Sequence, residues 1–185
     1  CITDDVLFTA YGLSGTGILR ISNRVLDALN DVRQTSPSRK EKEKDNKIVP
    51  LTVNLLPERK EEEWLGYLCT LAERFPNSAL KTLFRGILPA QIVDALLVEC
   101  RLPEESVTTV EEAARLLHRA CHWDFSVIGA HKNDHGQVTC GGVDTGQWNN
   151  RTMESTLCPG LYLVGEVLDI PGECGGYNLH WAWAS

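Results

Sequence analysis

The sequence has a single methionine, Met153, and the chain opens on Cys1. Its last residues, Trp181-Ala182-Trp183-Ala184-Ser185, read as a helix without a closing Gly, Asn or Pro. Both features lead us to expect a piece of a longer protein. No apolar run approaches the ~18 residues of a membrane span, so no membrane partner is expected. No charged segment followed by an apolar stretch opens the chain, as a secretory leader would. A basic excess is also missing: 18 Lys and Arg stand against 25 Asp and Glu, a net charge of −7. Phosphate backbones need a basic face, so no nucleic-acid partner is expected. The seven cysteines form no C-x-x-C pair. An odd, scattered set predicts free thiols in a reducing, cytoplasmic compartment rather than a disulfide framework.

What is present is ordinary for a globular chain: 43% apolar and 23% charged residues. Disorder and collagen-like repetition are thereby excluded. Residues 6–10 read as a short buried strand, and Gly12–Gly17 as a turn-rich stretch. Leu19, Val25, Leu26 and Leu29 fit one face of a helix, although the early part also fits a strand. Residues 35–47 read as a solvated loop, because eight of the nine residues from Arg39 to Lys47 are charged. Ile48–Leu56 reads as a strand, with Pro50 marking an edge or a start.

From about 60 to 121 the period becomes helical. Trp64, Leu65, Leu68, Leu71, Ala72 and Phe75 recur in steps of three and four. Pro76-Asn77 breaks that helix. Ser78–Arg85 is a short second helix, Pro89 opens a third, and Thr109-x-x-Glu112 is a capping box for a fourth. Phe125–Ala130 and Gln137–Cys140 read as strands flanking a hairpin turn. Ten of the fifteen glycines fall between Gly129 and Gly176. Within that stretch Leu161–Val164 reads as a buried strand running into Gly165-Glu166, and Gly175-Gly176 precedes a helix from Tyr177.

That last pattern could carry chemistry. A carboxylate at a strand end can accept hydrogen bonds from sugar or polyol hydroxyls. A helix start preceded by glycines offers free N–H groups and the positive end of a dipole. Gly141-Gly142 suits a sharp turn or close approach to a planar ligand. Gly12-Leu13-Ser14-Gly15-Thr16-Gly17 lacks the ending and the spacing of a phosphate loop. A zinc reading of His131, His135 and Cys140 lacks a repeated ligand pairing, so no metal is expected. A Ser14–His180 hydrolase has no nucleophile elbow.

Several motifs occur in a distinctive order. They are Leu7-Phe8-Thr9-x-x-Gly12-Leu13-Ser14-Gly15, Val138-Thr139-x-Gly141-Gly142-Val143 and Thr152-Met153-Glu154-Ser155. Pro159-Gly160-Leu161-Tyr162, Gly165-Glu166-Val167-Leu168-Asp169 and Gly175-Gly176-Tyr177-Asn178 follow. The set resembles the BaiN/YhiN-like family of NAD(P)/FAD-dependent oxidoreductases at both ends of the chain, and in the middle only in the order of elements. The resemblance implies an α+β fold. Residues 1–138 would be a strand-rich, barrel-like and helical insert domain. Residues 139–185 would be the C-terminal strand–loop–helix segment of a glutathione-reductase-like α/β FAD domain. It implies non-covalent FAD bound by Gly141, Gly142, Gly165, Glu166, Gly175, Gly176, Tyr177 and Asn178. Ser14 and Gly15 would lie on the side of a small-molecule substrate. NAD(P)H or oxygen would be the redox partner. The family's strand–G-x-G-x-x-G–helix is absent here, so the N-terminal FAD-binding half of the parent is a further expected partner, and the chain alone is expected to be inactive. The rival expectation is a substrate- or partner-binding module with no chemistry of its own.

Overall fold

The computed structural model describes residues 1–34, 48–104, 108–131, 138 and 141–185. The chain packs as two compact units, residues 1–44 with 129–185, and residues 45–128. These units are drawn differently from the division expected at 138/139, because the N-terminal residues pack with the C-terminal segment. The class is mixed α and β, with six helices and two separate two-stranded antiparallel ribbons among the described residues. No barrel is closed among them.

In the first unit, β1 (Leu7–Thr9) pairs with β2 (Gly12–Ser14), Phe8 facing Leu13 in the register. The stretch read as turn-rich is therefore partly strand. Leu7 and Phe8 are exposed, so β1 is not the buried strand expected. Helix α1 (Thr16–Gln34) follows at once, which settles its early residues as helix. Gly15 makes this junction possible. Its φ is +97°, and a Cβ there would lie 2.6 Å from the Asp5 carbonyl oxygen. The Gly17 N–H donates to that same oxygen at 3.0 Å.

The second unit holds the large core. β3 (Val49–Val53) pairs antiparallel with β4 (Trp123–Val127), Val49 opposite Val127 and Val53 opposite Trp123. The expected hairpin partner of β4 lies outside the described residues, at 137 and 139–140, as does its turn. Pro50 is tolerated because each strand of a two-stranded ribbon is an edge. Helix α2 (Glu61–Arg74) opens with three glutamates, which complement the positive end of its dipole. The short α3 (Leu80–Phe84) and then α4 (Ala90–Glu99), capped by Pro89, follow. Helix α5 (Val110–Cys121) has the expected capping box, with the Glu112 N–H donating to Thr109 Oγ1 at 3.2 Å. Leu68, Leu80, Phe84, Val93, Leu96, Leu97, Leu116 and Leu117 are almost wholly buried in one cluster. The apolar stripes read from the sequence form this core, except for Phe75, which caps α2 and is exposed.

The C-terminal segment has less regular structure. Leu161–Val164 is extended but is not the buried strand expected. Leu161 and Tyr162 are 45% and 61% exposed. Their backbone groups bond to residues 153, 155 and 158, and Tyr162 makes one bridge to Glu154. Residues 153–155 pair with it antiparallel over a single bridge only, too short a partner to make a regular strand or to bury its side chains. A 3-10 turn at Gly165–Val167 comes next, and α6 (Tyr177–Ala184) closes the segment. No helix among the described residues is long and apolar enough to cross a membrane.

Candidate functional site

The 3-10 turn Gly165–Val167 is the point on which the Gly-rich residues converge. On one side lies the 141–143 segment. The Val143 N–H donates to the Val167 carbonyl at 2.9 Å, and the Asp169 N–H to the Val143 carbonyl at 3.0 Å. Gly142 sits between them, and a Cβ there would lie 2.6 Å from the Val167 carbonyl oxygen. The Gly141 N–H donates to Asp169 Oδ1 at 3.0 Å. On the other side α6 packs directly on the turn. The Trp181 indole N–H donates to the Gly165 carbonyl at 3.2 Å, and the Gly165 N–H donates to Ser185 Oγ at 2.8 Å. A Cβ on Gly165 would be 3.5 Å from that of Ala182, and Gly165 has φ +69°. Buried Leu168 and Trp148 lie beneath, the latter with its ring centroid 6.3 Å from that of Trp181.

The loop before α6 is closed by Asn178. Its Oδ1 accepts the Gly172 N–H at 2.8 Å, and its amide donates to the Gly172 carbonyl at 3.0 Å. Gly175 and Gly176 then turn the chain into the helix with φ of +125° and +90°. No side chain caps α6. Its first N–H groups have no acceptor within the helix, and they carry the positive end of its dipole. A Cβ at Gly141 or Gly176 would meet nothing within 4 Å. Tyr177 is exposed beside them, with its ring edge near Gly175. Glu166 is exposed on the 3-10 turn.

The expected site residues thus divide by what surrounds them. Gly141, Gly175, Gly176, Tyr177 and Glu166 face outward. Gly142, Gly165 and Asn178 are engaged in holding the backbone. Gly15 is buried against Asp5, while Ser14 is half-buried at the end of β2. Both belong to the same compact unit as the loop, through ion pairs that sequence reasoning missed. Arg20 binds Asp4 at 3.1 Å, and Arg24 binds Glu173 at 3.2 Å. Arg20 also reaches Glu173 at 3.6 Å. Hydrogen bonding from Thr16, then from the Asp5 N–H and Arg20, holds the Asp4 carboxyl below the usual range. These charges are far apart in sequence, and nothing in their spacing announces the contact.

His131 lies against Tyr11, ring centroids 4.7 Å apart, and His135 and Cys140 fall outside the described residues. The six described cysteines are unbridged. In the second unit a groove of about 420 Å³ is lined by Leu55, Leu56, Arg59, Trp64, Tyr67 and Ile87, among others. Arg59 lies over the Trp64 ring at 5.2 Å, and the buried Trp64 indole N–H has no acceptor among the described residues.

Residues 14–185 match the family described as "HI0933-like protein Rossmann domain". The ribosomal RNA dihydrouridine synthases of Haemophilus influenzae and Escherichia coli are each 32% identical over 184 residues, 98% of this chain and 40% of theirs. The 3-dehydro-bile acid delta(4,6)-reductase of Clostridium scindens is 31% identical over 186 residues, 99% of this chain and 42% of its own. The chain spans about two fifths of the length of these curated relatives. It belongs to the HI0933-like family, the BaiN/YhiN-like group of FAD-dependent, oxidoreductase-like proteins that its motifs resemble.

Proposed function

We propose that this chain is the insert domain and the C-terminal FAD-domain segment of a flavoprotein reductase. The observation that carries the reading is the open Gly175-Gly176 turn. It presents an uncapped N-terminus on α6, the helix whose far end packs on the 3-10 turn that carries Glu166 and joins the Gly141-Gly142 segment. When bound, FAD supplies two-electron transfer. Gly175, Gly176 and Tyr177 would receive the pyrimidine side of its ring, where the dipole of α6 favours negative charge. Glyines without a Cβ let the backbone approach a flat ligand closely, and Gly141 would line the same ring. Glu166 would accept hydrogen bonds from the polyol part. Gly142, Gly165 and Asn178 serve this site by fixing its frame. Ser14 and Gly15 lie on the substrate side.

The names of the relatives suggest the reaction class. Forming dihydrouridine and reducing a delta(4,6) unsaturation both add two hydrogens across a carbon–carbon double bond conjugated to a carbonyl. We assign the parent of this chain to that class, with NAD(P)H as the electron donor; of the two redox partners expected from the sequence, oxygen only accepts electrons and does not fit a reduction. The carbon skeleton of its substrate is left open by relatives as unlike as an RNA base and a steroid.

The test compares the 185-residue chain with a chimera in which the remaining segments of the Haemophilus influenzae relative are joined to it. The chimera should purify with stoichiometric flavin, and the chain alone with little or none. A yellow, stoichiometric chain would overturn the assignment of the ADP half to the missing segments. A folded chimera without flavin would overturn the cofactor reading.

The groove of the 45–128 unit favours a second role, recruitment of substrate or partner. Its aromatic pair, Arg59 and a spare indole N–H suit a flat ligand bearing an acceptor. Trp64→Phe keeps an aromatic face but removes the indole N–H together with the five-membered ring. It should weaken substrate binding by the parent about 5- to 30-fold without changing flavin content. An unchanged KM would remove this role.

A further inference from the structure

The second unit carries a three-residue cluster that the flavin reading leaves unused. Glu61 stands in the first turn of α2, and His118 and His122 stand at the end of α5. The carboxylate lies between both rings, with Oε1 3.1 Å from His118 Nδ1 and Oε2 3.4 Å from His122 Nε2. The ligand atoms of all three residues fall within 4.8 Å of one another.

We propose that Glu61, His118 and His122 form a binding site for a divalent transition metal of the zinc type. Two imidazoles four residues apart on one helical face, with a carboxylate, are a chemically suitable donor set. In a tetrahedral site with bonds of about 2.0–2.1 Å, neighbouring ligand atoms are roughly 3.3 Å apart. One carboxylate oxygen, Glu61 Oε2, lies 3.4 Å from both His118 Nδ1 and His122 Nε2 and so already matches two such edges. The two histidine rings, centroids 4.8 Å apart and inclined by 42°, need only small rotations to complete it.

The scaffold holds the donors in place. The His122 N–H donates to the His118 carbonyl at 2.9 Å, which keeps the spacing although His122 is already the cap. Leu117, Ala120, Cys121 and Trp123 are buried on the opposite side and pin the last turn. Glu61 is fixed by α2, whose Leu68 is buried in the same core. His118 and His122 are 67% and 53% exposed, so an ion can enter and a water can take a fourth position. Without metal, His118 Nδ1–H donates to Glu61, and His122 Nε2 faces the other carboxylate oxygen at 3.4 Å. Moving that proton to the other ring nitrogen frees the Nδ1 lone pair for the ion.

The chain has other zinc-binding groups, its cysteines, so the experiment must separate the two. Chelator-treated chain is titrated with Zn²⁺, and separately with Co²⁺ to read the ligand type from the spectrum. One ion per chain is expected, with no sulfur-to-cobalt charge-transfer band. His118→Gln and His122→Gln should each weaken binding by at least about 100-fold, and Glu61→Gln by at least about 10-fold. Zn²⁺ should also raise the melting temperature of the wild-type chain and leave that of His118→Gln unmoved. Circular dichroism verifies that each variant is folded, as surface positions predict. The assignment is overturned by a dissociation constant weaker than about 0.1 mM. It is equally overturned by a strong thiolate band, or by undiminished affinity in the double histidine variant.

Discussion

Gly142→Ala tests whether this glycine serves packing. The added methyl would sit 2.6 Å from the Val167 carbonyl oxygen and 3.0 Å from the Asp169 nitrogen. Both contacts are backbone, so no side chain can swing away. The two segments must separate, and doing so strains the hydrogen bonds of 2.9 and 3.0 Å that join Val143 to Val167 and Asp169. Overpacking of this kind costs about 1–3 kcal/mol, and each lost bond about 1 kcal/mol more. A local destabilisation of about 2–4 kcal/mol follows, or roughly 30- to 1,000-fold in the opening equilibrium. Native-state hydrogen exchange reads it directly at the Val143 and Asp169 amides, with no flavin present. Gly141→Ala is the control: it meets open space, and only its φ of +96° opposes it, at about 1–2 kcal/mol. Unchanged protection of Val143 and Asp169 in Gly142→Ala, with flavin lost from the chimera, would refute the packing account. Gly142 would then be a ligand-facing residue.

Three further outcomes follow from the fold. Leu116→Ala empties a fully buried site between the helices of the second unit, and urea titration should show a loss of about 2–5 kcal/mol there. Asp4 is held below its ordinary range by Thr16, the Asp5 N–H and Arg20, so its stabilisation is present above the unfolded pKa of an aspartate. That contribution is lost as pH falls through the lowered folded value. Asp4→Asn should therefore flatten the acid limb of the stability profile of the first unit, as followed by the melting temperature between about pH 2 and pH 6. Burial pushes the Cys100 and Cys121 thiols up, so less thiolate is present at a given pH. Maleimide at about pH 7 should label exposed Cys1 and Cys158 well before them, by peptide mass mapping; early labelling of Cys121 would contradict its burial.

The helices of the second unit were legible because their signals are local. Leu68, Leu96 and Leu116 repeat at helical spacing, and Thr109 with Glu112 spells a cap within four residues. The C-terminal segment was legible as motifs but not as structure. Leu161–Val164 is an apolar run such as a buried strand has, yet burial depends on what covers it, and its short pairing with residues 153–155 leaves Leu161 and Tyr162 exposed. Gly175-Gly176 could be read as a helix approach because left-handed glycine before a helix is a local device. The task of Gly142 could not, because close approach of two backbones is visible only in three dimensions. For the same reason the cluster of His118, His122 and Glu61 was not read from the sequence: Glu61, which completes it, comes from another helix.

The pairing of Val49 with Val127 has a consequence for the chain as a polymer. The second unit leaves and returns through two strands that lie side by side, so Val49 and Val127, close to its two ends, are neighbours. Once folded, it closes its own loop at about the entropic cost of a short turn, whatever its interior length. To the surrounding polypeptide, some eighty residues then weigh little more than a hairpin. Such a unit can be excised, exchanged between relatives or enlarged without lengthening the path the rest must follow. Members of one family could keep a common Gly-rich frame while changing what hangs from that two-stranded stem.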